Sequence, residues 1–207
     1  MNENEIRFAT EIVKPWEQLN IVLCQAFSME PKMNDFIIKA NSLAVSIKHI
    51  AEALLKIKPA QLIPDSRWYE IISDLADSSK HGTLHKPERE CSLVVSSMFE
   101  RNSEAKVRFL RNRISINHNT YGKIDFMQCS MESALFVAEK LNFKSNWAPK
   151  LLEKSEEFNN EIKVHASPTQ QVSFNSFQLE FVEKNENGEY INVDLNGEVI
   201  FTLTSEF

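Results

Sequence analysis

The sequence predicts an α+β protein, a helical bundle with an inserted β-hairpin or meander and a small C-terminal antiparallel β meander. Three observations predict it. Phe36, Ala40, Leu43, Ile47, Ile50, Leu54 and Ile57 alternate spacings of four and three, as one face of a long helix does. Strand-like alternation takes over in AKVRFLRNRISINH, residues 105–118, and returns after residue 163. Two Asn-Gly pairs, Asn187-Gly188 and Asn196-Gly197, mark hairpin turns near the end. The expected division is a bundle over residues 1–162, with the β insertion at about 91–129, and a meander over 163–207 packed on it.

Residues 5–27 open the chain as a helix, with Ile12, Trp16, Leu19 and Leu23 in its apolar stripe. Pro15 must kink this helix or begin its main part, because proline lacks the N–H that a mid-helix position donates. Ser28 to Met33, with Pro31, is a connection. The helix of residues 34–57 follows. Its stripe is widened by Ile37, Ala44, Ala51 and Leu55, which suits packing on more than one side, in a bundle or across a dimer interface. His49 lies off the main stripe. The proline-bounded turn KPAQLIP leads to a third helix ending at Lys80 or His81. Asp65 or Ser66 can cap its start, and Gly82 can take the left-handed conformation at its end. Trp68, Ile71, Ile72, Leu75 and Ser79 form its expected inward face.

Beyond Pro87 the pattern turns to strands, CSLVVSSMF and then residues 105–118. In the second, the apolar parity switches near Phe109 and suggests a bulge. Asn119 to Gly122 reads as a turn into a third strand, KIDFMQC. A helix follows over MESALFVAEKLNF, and a helical return is expected from Ala148 to about Asn160. The closing strands centre on Val172 and Phe174, on Phe177, Leu179 and Phe181, and on VIFTL. The fourteen Phe residues suit a core better than a set of base-stacking platforms.

Composition narrows the function classes. Apolar residues make up 43% and charged residues 25%, as in ordinary globular proteins. No apolar run is long enough to span a bilayer, and MNENEIRFATEIV lacks the basic start and apolar core of a signal peptide. Three widely spaced cysteines, Cys24, Cys91 and Cys129, suit free thiols. A cytoplasmic protein is expected. Four glycines leave no phosphate-cradling loop or dinucleotide fingerprint, and neither a serine elbow nor a zinc-type Cys/His set is present. No cofactor and no metal are expected. The net charge of −6 is uneven: residues 153–207 hold eleven Asp/Glu against three Lys, residues 1–152 twenty basic against eighteen acidic groups. The acidic segment could shield a nucleic-acid surface or serve solubility.

The candidate site lies in DSRWYEIISDLADSSKHGTLH, residues 65–85, where polar residues crowd onto a helix that is otherwise apolar. Asp74, then Asp77 or Ser78, then His81 share a second helix face. A carboxylate one turn before a histidine can orient the imidazole, and Lys80 adds a cation beside it. The set could bind a phosphate or move a proton. Asp77 and His81 would equally form an ordinary exposed i, i+4 pair. His81 and His85 have the spacing of a helical metal pair, but Gly82 interrupts the helix between them. A second candidate is the basic run Arg101, Lys106, Arg108, Arg111 and Arg113. Arg111 and Arg113 share a strand face, with Arg108 nearby, and could track a phosphate backbone or protect an edge strand.

Ala76-Asp77-Ser78-Ser79-Lys80-His81-Gly82 resembles the motif of HEPN-like helical domains, in which an Arg, often followed by Asn or Asp, precedes a His. The resemblance covers about seven residues and a helical context. Many members of that family are metal-independent ribonucleases of toxin–antitoxin, abortive-infection and other defence systems, and often act as dimers. By position, His81 matches the histidine and Asp77 the polar residue, while Ala76 stands where Arg is expected. The resemblance implies a nucleic-acid-directed module. If it is catalytic, His81 is the general acid or base, Asp77 its orienting group and Lys80 the phosphate cation, with Arg108, Arg111 and Arg113 on the RNA backbone. The alternative is a non-catalytic protein that forms a homodimer or holds a protein partner.

Overall fold

The computed structural model describes residues 2–29, 32–82, 84–143, 146–166, 178–193 and 200–205. Its elements are α1 (Glu3–Phe8), a π-helical turn (Ala9–Val13), α2 (Lys14–Gln25), α3 (Lys32–Leu55), α4 (Pro59–Leu62) and α5 (Arg67–His81). They are followed by β1 (Cys91–Arg101), β2 (Val107–His118), β3 (Gly122–Asp125), α6 (Phe126–Lys140), β4 (Glu161–Ala166), β5 (Leu179–Lys184), β6 (Tyr190–Asn192) and β7 (Ile200–Ser205). The fold is α+β, helices with a five-stranded mixed sheet in the order β3-β2-β1-β5-β6, and β4 paired with β7. No described helix is long and apolar enough to cross a membrane. The chain divides into two compact units. One comprises Met1–Val22, Asp35–Val94 and Ile114–Leu151, the other Leu23–Asn34, Val95–Arg113 and Leu152–Phe207.

The first unit is the helical one. Pro15 sits one residue into α2, directly after the π-turn. A widened turn accommodates the missing proline N–H and its ring, so the helix continues where an unbroken α-helix would clash. Trp16 is fully buried, and its indole N–H reaches Met127 O at 3.0 Å and Ser130 Oγ at 3.1 Å, tying α2 to α6. On α3 the stripe is as expected: Phe36, Ala40, Leu43, Ala44, Ile47, Ile50 and Ala51 are buried. The helix stops at Leu55, two residues before Ile57, where Lys56 takes a left-handed φ of 56°.

Two boundaries differ from expectation near α6. KIDFMQC forms a strand only to Asp125, because the Asp125 carboxylate accepts the Gln128 N–H at 2.9 Å and caps a helix starting at Phe126. The buried face of α5 is also wider than expected. Ser79 is exposed and Trp68 half-buried, whereas Tyr69, Ser73, Asp74, Ala76 and Ser78 join Ile71, Ile72 and Leu75 inside. Helix α5 packs on α6 and also meets α3 and the start of β1, so more than one face is covered.

The second unit is built on strands. Phe99, Val107, Phe109 and Ile162 form one apolar cluster with Phe27, Met29, Leu179 and Phe181; Met98, Leu110 and Val182 form another with Tyr190. The parity switch at Phe109 thus corresponds to burial on both faces of β2. At its centre Asn112, fully buried, donates to Ala26 O at 2.8 Å and Leu23 O at 3.3 Å and accepts the Ser97 hydroxyl at 2.7 Å.

The C-terminal strands depart from a self-contained antiparallel meander. β5 lies parallel to β1, with Phe99 opposite Phe181, and β4 lies parallel to β7. Among the described residues, β5 and β6 form an expected hairpin, turning at Asn187-Gly188 with Gly188 at φ 79°. Alternation tells which side of a strand is apolar and leaves its neighbour open. The strand centred on Val172 and Phe174, Phe177 and the Asn196-Gly197 turn lie outside the described residues. The helical return expected at 148–160 is instead irregular backbone. Lys154 N donates to Leu110 O at 2.7 Å, and Asn159 exchanges two 2.8 Å bonds with Val107. Those bonds to β2 pair the Lys154 N–H and both peptide groups of Asn159 outside any helix.

Candidate functional site

The polar face of α5 is placed by its caps. Ser66 accepts the Tyr69 N–H at 3.2 Å at the start, and Gly82, at φ 75°, ends the helix after His81. A short 3₁₀ turn, Pro87–Arg89, then brings the chain back beside the helix. Thr120 Oγ1 donates to Glu88 O at 2.7 Å and the Asn119 side chain to Pro87 O at 2.6 Å, pinning that turn.

These anchors hold Arg89 against two carboxylates. Its Nε and Nη2 donate to Asp74 Oδ1 at 2.7 and 2.5 Å, and Nη2 also reaches Asp77 Oδ2 at 3.1 Å. Lys48 of α3 donates to the other Asp77 oxygen. Asp74 is only 1% exposed, and its Oδ2 faces His118 Nε2 at 3.3 Å. The result is a chain of alternating charge, Lys48–Asp77–Arg89–Asp74, ending on a buried histidine. Hydrogen bonding to Asp74, opposed by desolvation, raises the Arg89 pKa, so the guanidinium stays charged. Its Nη1 makes no hydrogen bond among the described residues.

His118 is oriented by its surroundings. Nδ1 accepts the N–H groups of Thr120 at 3.1 Å and Tyr121 at 3.4 Å, which puts the ring proton on Nε2, toward Asp74. The Tyr121 ring lies over it at 4.9 Å, and the Tyr121 hydroxyl donates to Glu70 at 2.7 Å. An Asp–His pair of this kind can serve as a base with its orienting group, but here the outer nitrogen is taken by backbone donors and the ring is buried. The pair stabilises the turn after β2. Nearby, Cys91 Sγ meets Ser78 Oγ at 3.6 Å, and burial pushes its thiol up to about 11, away from nucleophilic use.

The residues singled out from sequence are distributed as follows. Asp77 lies inside the network, 28% exposed, bonded to Lys48 and Arg89. Lys80 and His81 are exposed at the end of α5, and no hydrogen bond or ion pair joins Asp77 to His81 among the described residues. His85 and Lys86 are exposed just beyond. In the second unit, Arg108 is paired with Glu100 at 2.5–2.8 Å and lies over the Phe158 ring at 4.7 Å. Arg111 is buried and donates to Asn112 O at 3.2 Å and Leu152 O at 3.1 Å. Arg113 reaches Glu180 at 3.3 Å. Arg101 and Lys106 pair with Glu183 and Glu104.

Sequence reasoning missed Lys48, Arg89 and His118. One signal was readable for the last: His118 continues the buried parity of Ile114 and Ile116, where a polar side chain must find a partner. Arg89, in a short turn, carried no such mark. Among the described residues no group of three or more His, Cys, Asp or Glu side chains could hold a metal ion. The fold and site define an α+β protein with a partly buried charge network joining α3, α5 and the turn after it, and a basic helix end beside it. The chain matches no protein-family model, no curated protein and no solved structure.

Proposed function

We propose that this chain is an RNA-directed, HEPN-like module whose phosphate-contacting groups gather at the end of α5. The observation that carries this reading is Arg89. The motif has Ala76 where an arginine is expected, yet a guanidinium arrives from the following turn, bonded to the motif's Asp77 at 3.1 Å with Nη1 unbonded. A clamped arginine with one open edge is suited to a phosphate oxygen. Exposed Lys80 and Lys86 add cations that no carboxylate pairs with among the described residues. His81, exposed and without an orienting carboxylate, is the group that would exchange a proton with an RNA 2′-hydroxyl or leaving oxygen if the module cleaves. Arg108, Arg111 and Arg113 are engaged internally, so the backbone contacts in this reading fall to Arg89, Lys80 and Lys86. A place in a toxin–antitoxin or other defence system follows from the motif resemblance alone.

The test is incubation of the purified chain with tRNA and total RNA in EDTA, alongside His81→Ala and Arg89→Lys. Cleavage lost in both variants supports a metal-independent ribonuclease. Binding without cleavage, weakened by Arg89→Lys and by salt, supports a non-catalytic RNA module. Neither binding nor cleavage overturns the proposal.

A second reading, a homodimer or a complex with a protein partner, is favoured by a specific surface. Leu19, Ile21, Val22, Ile38 and Leu43 of α2 and α3 line a groove of about 510 Å³, and Ile21 and Ile38 are 45% and 63% exposed. An exposed apolar groove between two helices is a surface that a second copy of the chain can cover. Sedimentation of wild type and Ile38→Asp would detect it.

A further inference from the structure

The second unit holds a pocket that the RNA-phosphate reading does not use. It encloses about 440 Å³, within the range of small-ligand sites. Its floor is aromatic. Phe27, Phe99 and Phe109 meet edge-on in all three pairings, with ring centroids 5.5, 5.6 and 6.3 Å apart. Phe99 and Phe109 are buried, while Phe27 and Met29, which also line the pocket, are only half-buried.

The rim discriminates among ligand classes. Two cations border it, and each already has a carboxylate: Arg108 is held by Glu100, and Lys154 by Glu156 at 2.5 Å. Glu161 accepts the Thr202 hydroxyl at 2.7 Å, and Asn159 offers an exposed amide. With its charges balanced, the rim exerts little net pull on a carboxylate or phosphate. It does present N–H donors and carboxylate acceptors together above an aromatic floor. The ligand that uses both is a flat, uncharged heteroaromatic ring with donors and acceptors on its edge.

We infer that this pocket binds a nucleobase-type ring, with one face against the Phe27 side and its polar edge at Lys154, Glu156 and Asn159. The ring could belong to a free nucleoside or to one base of a single strand. The inference stands on the second unit alone and does not depend on the α5 site.

The test is titration of the full chain with each of the four ribonucleosides and with short single-stranded RNA, followed by NMR or calorimetry. Phe27→Ala removes the stacking wall; Lys154→Ala removes a rim donor at a half-exposed position. Saturable binding, weakened at least tenfold by Phe27→Ala and several-fold by Lys154→Ala, supports the site. If nucleosides bind, the source is a free ligand. If only the strand binds, with the same Phe27 and Lys154 dependence, the source is a base in RNA. Absence of saturable binding to all probes, or binding indifferent to Phe27 and Lys154 in variants whose melting matches wild type, overturns it. Loss of RNA binding in Arg89→Lys with nucleoside binding retained would separate this site from the α5 reading.

Discussion

Two regions of this molecule are rich in basic side chains, and they treat them in opposite ways. At the end of α5, Arg89 is clamped by Asp74 and Asp77 yet keeps one nitrogen unbonded, while Lys80 and Lys86 stay in solvent. On β2 the arginines are denser in sequence and more fully engaged. Arg111 is 5% exposed on backbone carbonyls, and Arg108 and Arg113 are held by Glu100 and Glu180. The strand whose sequence looked most like a phosphate track uses its charge for internal pairing. The helix end, with the same number of cations spread more thinly along the chain, offers more of them to a ligand. Charge density along a chain and charge presented at a surface are different quantities, because acidic partners arrive from distant segments.

The comparison can be broken most forcefully at Asp74. Asp74→Ala leaves Arg89 without its main partner and His118 with a buried, unanswered N–H. Unfolding in urea should show a loss of about 3–5 kcal/mol, the usual consequence of removing one member of a buried charged network. Asp77→Ala, at a more exposed carboxylate, should cost about 1 kcal/mol, and equal losses at the two sites would contradict the network's geometry. On β2, Arg111→Ala strands the carbonyls of Asn112 and Leu152 and should cost about 1–3 kcal/mol in the same assay. Arg113→Ala, at a half-buried pair, should stay near 1 kcal/mol.

A sharper contrast comes from salt. Lys80→Ala and Lys86→Ala should leave stability within about 0.5 kcal/mol. Each should flatten the plot of log RNA affinity against log salt by about one phosphate contact. Arg108→Ala should leave that slope unchanged, and a flattened slope there would return the β2 arginines to the interface.

A separate effect is expected at alkaline pH. Burial raises the Cys91 thiol from 9.0 to about 11 and the Tyr69 hydroxyl from 10.0 to about 12, so folding favours their protonated forms. The stability they contribute is complete below pH 9 and is lost as pH rises through 11 and 12. Urea midpoints measured from pH 8 to 11 should fall, and Cys91→Ala should shallow the fall. Iodoacetamide should accordingly modify Cys91 slowly at pH 7.5.

Much of the helical unit was legible because its signals are local. The α3 stripe, the Ser66 cap and the Gly82 stop each depend on residues within a turn or two. The start of α6 was misplaced because FMQC looks apolar and strand-like unless the Asp125 cap is recognised. The irregular run before β4 was misread as helix with Pro149 in its first turn; Leu151 and Leu152 are 43% and 41% exposed, so that run buries no leucine face. For the candidate site, the sequence brought Asp74, Asp77 and His81 onto one face of α5. It could not anticipate that the carboxylates would turn to Arg89 and Lys48 and leave His81 in solvent.

By itself, the sequence determined the class of fold, the long apolar helix, the limits of α5 and the Asn187-Gly188 hairpin. Each is written in spacing, caps or turn residues that act over a few positions. Only the tertiary structure decided that β5 would pair in parallel with β1, that Arg89 would answer Asp74, and that the β2 arginines would be internally paired. Those outcomes join residues 8 to 82 positions apart. Which partner wins at such range is set by packing and desolvation across the whole chain, and no local pattern records it.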